Sequence, residues 1–378
     1  MKTKVDKGYL ARLQQRYQRA ARHEKQVMLD ELTKTAGYDR KYASKLLTGR
    51  YKHKVGKITR PRRQRYSHHD ALVLKKVAEL LAGINAKRLQ PQIGIALNSL
   101  AKAGKLRLTT EQRQRLIDIS PATIDRLLTH YQLRSGSHGR SYTKPGSLLK
   151  HQIPLRTFAD WDEDTVGFCE VDLVGHDGGN SFGEFAFTLN VVDVKTQWSE
   201  QVAVRNKAQR QVFAAITAVQ ARLPFPLRGI DSDSGAEFIN YHLYHYALRQ
   251  HITFTRSRAG KKNDQAYVEQ KNDSVVRFWV GYHRYDTSGQ VAALNQFYEL
   301  LRLYNNFFLP VQKLATKERI GSRVKKTYDH PQTPYQRILA APEIANSVKQ
   351  ALKRQYASLD LVQLKQALDE ALTKIELH

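Results

Sequence analysis

At 378 residues the chain has room for two or three domains, each with its own core, and its formal net charge of +27 points to a polyanionic partner. The one cysteine, Cys169, excludes an intrachain disulfide and any zinc site built on several thiolates, and reads as a small apolar strand residue. No apolar run reaches the length of a membrane span, no Trp/Phe-bearing amphipathic anchor is present, and no apolar stretch follows the opening Met-Lys-Thr-Lys-Val-Asp-Lys, so a cytoplasmic protein without a membrane partner or secretory signal is expected.

The charge is uneven. Residues 1–150 hold 34 lysines and arginines against 10 acids, whereas residues 151–378 hold 28 against 25. Such a split describes a nucleic-acid-binding block joined to a nearly neutral block of another kind.

Residues 1–50 form a helical unit. Helices are expected over 9–21 and 24–35; Gly37 then breaks the chain and Asp39 caps a third helix ending at Leu47. Ala43, Leu46 and Leu47 make its inward stripe, leaving Arg40, Lys41, Ser44 and Lys45 outside, as in the recognition helix of a helix-turn-helix. An ordinary basic surface helix is the alternative. Residues 51–66 are a basic linker in which Lys52, Lys54, Lys57, Arg60, Arg62, Arg63 and Arg65 are suited to phosphates. Residues 67–132 form a second helical unit, with helices over 68–81 and 90–103, a Thr109/Gln112 capping box, and a Ser120-Pro121 helix start. Its last helix is a second helix-turn-helix candidate, with Thr123 and Arg126 toward DNA. A Ser/Gly/Arg-rich linker covers 133–159.

From about 160 the pattern turns to alternation. Strands are expected over 167–174, 185–194 and 198–204, a helix over 207–222, a strand over 227–231, a helix over 237–250 and a strand over 252–256, then helices over 264–282 and 289–308. Three strands followed by alternating helices and strands give a five-stranded mixed sheet flanked by helices over 160–310.

Three acids carry the chemistry: Asp172 on the first strand, Asp233 at the end of the fourth, and Glu269 on the following helix, 35 residues separating the last two. If the first and fourth strands are parallel neighbours, Asp172 and Asp233 meet at their C-terminal ends, where open α/β sheets place their sites. Three carboxylates can hold two Mg²⁺ ions, for which Mn²⁺ would substitute, and such a pair activates the attacking oxygen and stabilises the leaving one. Glu170 and Asp231 are expected beside the site or in solvent. Asp193 reads as a turn acid, and Glu237 as the partner of an N-capping Ser234. The glycine-rich 175–183 stretch reads as a hairpin loop.

Glu170-Val-Asp172, Asp233-Ser-Gly-Ala-Glu-Phe238 and Val268-Glu269-Gln-Lys-Asn272 resemble the catalytic core of retroviral integrases and of the bacterial insertion-sequence transposases that share it. The resemblance spans about 160–310, and Tyr304-Asn-Asn-Phe-Phe, Lys317-Glu-Arg and 328–337 extend it toward the bacterial group. It implies a ribonuclease-H-like fold with Asp172, Asp233 and Glu269 as catalytic metal ligands. It also implies water attack at each element end followed by direct attack of the freed 3′-hydroxyl on target DNA, with no nucleotide cofactor. Duplex DNA and further copies of the chain are the implied partners. The His/Cys zinc module of retroviral integrases is missing, and the helix-turn-helix units stand in its place. The loop Arg258-Ala-Gly260 lacks the proline expected of near relatives. Lys261, Lys262 and Lys271 beside the site are expected to hold DNA phosphates.

Residues 311–378 complete the chain as a small, partly helical region, with Lys325-Lys326 as a weak DNA signal. In the last helix Leu361, Leu364, Leu368, Leu372 and Ile375 form a stripe that suits either packing within the chain or contact between copies. A regulator with an inactive core and a nuclease of RNA–DNA hybrids are the other functional readings.

Overall fold

The structure is a computed structural model describing residues 7–50, 65–129, 164–233, 235–257 and 265–377. The chain divides into two compact units, Met1–Arg65 and Tyr66–His378.

In the first unit α1 (Lys7–Arg19), α2 (Arg22–Ala36) and α3 (Arg40–Leu47) close around Tyr17, Met28, Leu29, Leu32, Ala36, Ala43 and Leu47. Gly37 ends α2 in the left-handed region at φ 67°, where a side chain would be strained. Two residues on, the Asp39 carboxylate accepts the Lys41 and Tyr42 N–H groups and starts α3. The three-residue turn and the inward stripe match the expectation for this segment.

The second unit opens with α4 (His68–Leu80), α5 (Ala86–Leu89), α6 (Ile93–Lys102), α7 (Thr110–Ile117) and α8 (Pro121–Leu128). Expected as a unit of their own, these helices instead share one continuous core with the sheet that follows: Leu74, Leu81, Leu89 and Leu116 belong to the same buried cluster as Leu189 and Phe297. The Tyr304 hydroxyl, from deep in the sheet half, donates to the Leu80 carbonyl at 2.7 Å.

The sheet contains β1 (Phe168–Gly175), β2 (Phe187–Asp193), β3 (Ser199–Val204), β4 (Gly229–Ser232) and β5 (Thr253–Arg256), ordered β3-β2-β1-β4-β5. β1 runs antiparallel to β2, and β2 to β3, whereas β1, β4 and β5 are mutually parallel. This is the five-stranded mixed sheet of a ribonuclease-H-like core. The crossovers are α9 (Gln209–Arg222) and α10 (Tyr241–Arg249). Asp193 is the buried turn acid expected: it accepts the Gly167 N–H with one oxygen and the Thr196 N–H and hydroxyl with the other.

After β5, α11 (Ala266–Lys271) passes through a wide π turn at Asn272–Arg277 into α12 (Phe278–Val280), and the long α13 (Ser288–Phe308) lies on β3. A hairpin of β6 (Leu314–Ile320) and β7 (Arg323–Tyr328) precedes α14 (Pro334–Ala340), α15 (Asn346–Ser358) and α16 (Leu361–Leu377). The α16 stripe packs within the chain, against α13, α4 and α6, and buries Leu361, Leu364, Leu368 and Ile375. This settles the choice left open by its spacing.

Candidate active site

Parallel pairing sets the two aspartates side by side. Val171 on β1 stands opposite Ser232 on β4, so Asp172 and Asp233 are the next positions on adjacent strands. Asp172 is further fixed by the Leu173 N–H at 2.8 Å and the Asn272 side-chain amide at 2.6 Å. Asp233 accepts the Gly235 N–H at 2.9 Å.

Neither aspartate has an ion-pair partner among the described residues. Burial, then the neighbouring Asp233 carboxylate, pushes Asp172 up to about 7; Glu269 adds a smaller push. Burial also raises Asp233, offset in part by the Gly235 N–H and by Lys207. Two half-buried carboxylates side by side with no ion-pair partner among the described residues are hard-oxygen donors suited to a divalent ion.

Glu269 reaches this region from the first turn of α11, and Glu170 anchors that turn. Glu170 is 1 % exposed on β1, and its carboxylate accepts the Tyr267 and Val268 N–H groups at 3.0 and 2.9 Å. Free N–H groups at a helix start carry partial positive charge, which makes a buried carboxylate a stable anchor there. Asp231, also buried, accepts the Thr255 hydroxyl at 2.7 Å, and its main-chain oxygen accepts the Gln265 amide at 3.1 Å. Both acids therefore hold elements beside the site. The Glu269 side chain is exposed, and among the described residues no three His, Cys, Asp or Glu side chains stand close enough to hold a metal ion. Asp172 and Asp233 thus meet in this structure, with Glu269 near enough to act on Asp172 through its charge.

The sequence reading missed two features. Glu237 is no helix-capping partner: α10 starts later, with Asn240 as its N-cap, and Ser234 lies outside the described residues. The Glu237 carboxyl instead folds back over Gly235 beside Asp233; a β-carbon on Gly235 would come within 2.8 Å of both Glu237 Oε1 and Asp233 Oδ1. Burial and then Asp233 raise the Glu237 carboxyl. The second feature is a row of amides: Gln201 donates to Asn190 at 3.0 Å, Asn190 to Asn272 at 2.9 Å, and Asn272 to Asp172. It crosses β3, β2 and β1 and fixes which end of the Asn272 amide faces the carboxylate.

The expected DNA contacts are scattered. Lys41 and Lys45 are exposed on α3 and Ser44 is half-buried, whereas Arg40 is ion-paired with Asp30. Arg65 is exposed. Arg126 is exposed on α8 and donates to the half-buried Thr123 hydroxyl at 2.9 Å. Lys271 is not on a solvated loop: it is 6 % exposed on the face of α11 turned into the protein. Lys52, Lys54, Lys57, Arg60, Arg62, Arg63, Lys261 and Lys262 lie outside the described residues. No described helix is long and apolar enough to cross a membrane.

No protein-family model matches the chain. Among solved structures it is similar to the catalytic core domain of BIV integrase, with a TM-score of 0.29 and 15% identity over 45% of this chain and 91% of that one. It is also similar to the HTLV-2 integrase catalytic core domain in complex with magnesium, with a TM-score of 0.25 and 14% identity over 30% and 68%. A third similarity is to the simian T-cell lymphotropic virus intasome in complex with PP2A regulatory subunit B56 gamma, with a TM-score of 0.26 and 12% identity over 47% and 57%. Among curated proteins, the uncharacterized protein y4rM of Sinorhizobium fredii (strain NBRC 101917 / NGR234) is 39% identical over 320 residues, covering 85% of this chain and 91% of that protein. The chain belongs to the family of y4rM.

Proposed function

We propose that the chain is a DNA transposase of the insertion-sequence type, which frees 3′-hydroxyls at the ends of a mobile element and joins them to target DNA. The observation that carries this reading is the pair Asp172 and Asp233, half-buried at adjacent positions at the ends of parallel strands, with no ion-pair partner among the described residues. The helix bearing Glu269 is tied by Glu170 to the same strand as Asp172.

Asp172 and Asp233, joined by Glu269 once its exposed side chain turns in from α11, would hold two Mg²⁺ ions, or Mn²⁺ in their place, which when bound supply Lewis acidity to the attacking and leaving oxygens. Asn272 holds Asp172 in orientation, and Asn190 and Gln201 hold Asn272. In the first step water attacks the phosphorus, the bond to the 3′-oxygen breaks, and that oxygen leaves protonated while the 5′ fragment keeps the phosphate. In the second, the new 3′-hydroxyl attacks a target phosphodiester, losing its proton as the target's 3′-oxygen takes one up. No protein nucleophile is needed.

The first unit reads the terminal inverted repeats through Lys41, Ser44 and Lys45 on α3, with Thr123 and Arg126 of α8 and the basic 51–66 segment adding phosphate contacts. Pairing two element ends calls for at least a dimer on DNA, and the chain works in the bacterial cytoplasm at the nucleoid. The test is a gel assay on a duplex bearing an inverted repeat that flanks the coding region, in Mg²⁺, with wild type beside Glu269→Gln. Nicked and joined products in wild type alone support the proposal. Specific binding without cutting would replace it with a DNA-binding regulator.

A further inference from the structure

Away from the acids, α11 turns a cation inward. Lys271 is 6 % exposed, and its amine forms no hydrogen bond or ion pair among the described residues. It lines a pocket of about 350 Å³ with Lys87 and Arg88 from the α5 helix, Gln312 and Asn305. No acid lines that pocket, and the charges acting on Lys271 are the guanidinium groups of Arg88 and of Arg337, the latter paired with Asp329 at 2.7 Å. A buried amine facing other cations is costly unless an anion joins them.

Tyr328, at the end of β7, also lines the pocket. Every residue of the β6–β7 hairpin is exposed, although a two-stranded ribbon alone is marginally stable in water. Lys317 stands directly opposite Lys326, and Arg319 opposite Val324. Side chains alternate along a strand, so Lys317, Arg319 and Lys326 share one face with Tyr328, and no acid shares it. Like charges placed opposite each other destabilise a ribbon, and a row of phosphates reverses that penalty.

We propose that the Lys271 pocket and the Lys317/Arg319/Lys326 face form one track for the sugar–phosphate backbone of DNA, with a phosphate seated against Lys271. The proposal rests on the DNA-processing reading above, and adds a site on the opposite side of α11 from Glu269. The hairpin grips a strand by its backbone, and sequence plays no part in the grip.

The test is fluorescence anisotropy of the full chain on a labelled duplex across a salt series. The variants are Lys317→Gln/Lys326→Gln, Lys271→Gln, and Lys353→Gln on α15 as control, with folding checked by circular dichroism. The double variant is expected to lower the slope of log K against log salt by about 2 and Lys271→Gln by about 1, with the control unchanged. Lys271→Met, which keeps the buried stem, is the second pocket variant if Lys271→Gln melts early. Unchanged slopes in both track variants overturn the proposal. So does saturation of the pocket by inorganic phosphate with no effect on duplex binding, which would make it a site for a free oxyanion. Nicking of the same duplex in Mg²⁺ is read separately: unchanged slopes with intact nicking overturn the track alone, whereas reduced slopes with no nicking by wild type support the track and overturn the transposase reading.

Discussion

Glu170 Oε2 accepts the main-chain N–H of Val268 at 2.9 Å, joining a sheet residue two positions before Asp172 to the residue immediately before Glu269. One carboxylate thereby ties together the elements that carry two of the three acids on which the proposed chemistry rests. Glu170→Ala leaves the buried Val268 N–H and the part-buried Tyr267 N–H unpaired and is expected to cost about 1–3 kcal/mol of stability. Activity should fall further than stability accounts for, because α11 loses its anchor. Glu170→Gln keeps an acceptor oxygen and should restore most of the stability. Chemical denaturation beside a cleavage assay checks both; full activity in Glu170→Ala would show that the anchor does not position Glu269.

The metal-free protein should lose stability as pH rises. Asp172 has a folded-state value of about 7 against 3.8 for the free side chain, so its contribution is complete below about pH 4 and is lost as pH climbs through 7. Asp172→Asn removes this charge and should stabilise the protein in EDTA more at pH 8 than at pH 5, the gain at pH 8 being on the order of 4 kcal/mol at most. An equal effect at the two pH values would mean that Asp172 is ionised at low cost.

Mg²⁺ should stabilise the wild type at pH 8 by binding the folded state alone, and the shift in Tm should grow with Mg²⁺ concentration. Asp172→Asn and Asp233→Asn should each abolish the shift, whereas Lys353→Gln should keep it. Differential scanning calorimetry across a Mg²⁺ series reads this without any DNA substrate.

The amide row makes a graded prediction. Asn272→Ala removes the donor that orients Asp172 and should lower activity roughly 10–100-fold with metal affinity reduced to match, as for other groups that orient a metal ligand. Asn190→Ala, one bond further out, should show a smaller loss of the same kind, visible as a higher Mg²⁺ requirement. A loss in Asn190→Ala that equals its loss of stability and leaves the Mg²⁺ requirement alone would reduce the row to packing.

The meeting of Asp172 with Asp233 was legible on one condition, that the first and fourth strands are parallel neighbours, and the β1–β4 pairing meets it, because register decides which side chains meet. The shared core of the 68–128 helices was not, because an apolar helix stripe looks the same whether it packs on another helix or on a sheet. Glu237 was misread because Ser234 and Glu237 have capping-box spacing, yet the buried Phe238 and Ile239 hold 235–240 as a turn and delay the helix to Tyr241. Lys271 resembled other basic residues near the site; only the rotation of α11 shows that it points inward.

The most direct measurement is cleavage and joining of an inverted-repeat duplex in Mg²⁺ by wild type and by Asp233→Asn, on the same gel and at matched DNA binding. Wild type should give nicked and joined products and Asp233→Asn none, with binding unchanged in both. Products from Asp233→Asn at the wild-type rate would contradict this, because the chemistry would then not depend on the carboxylate beside Asp172.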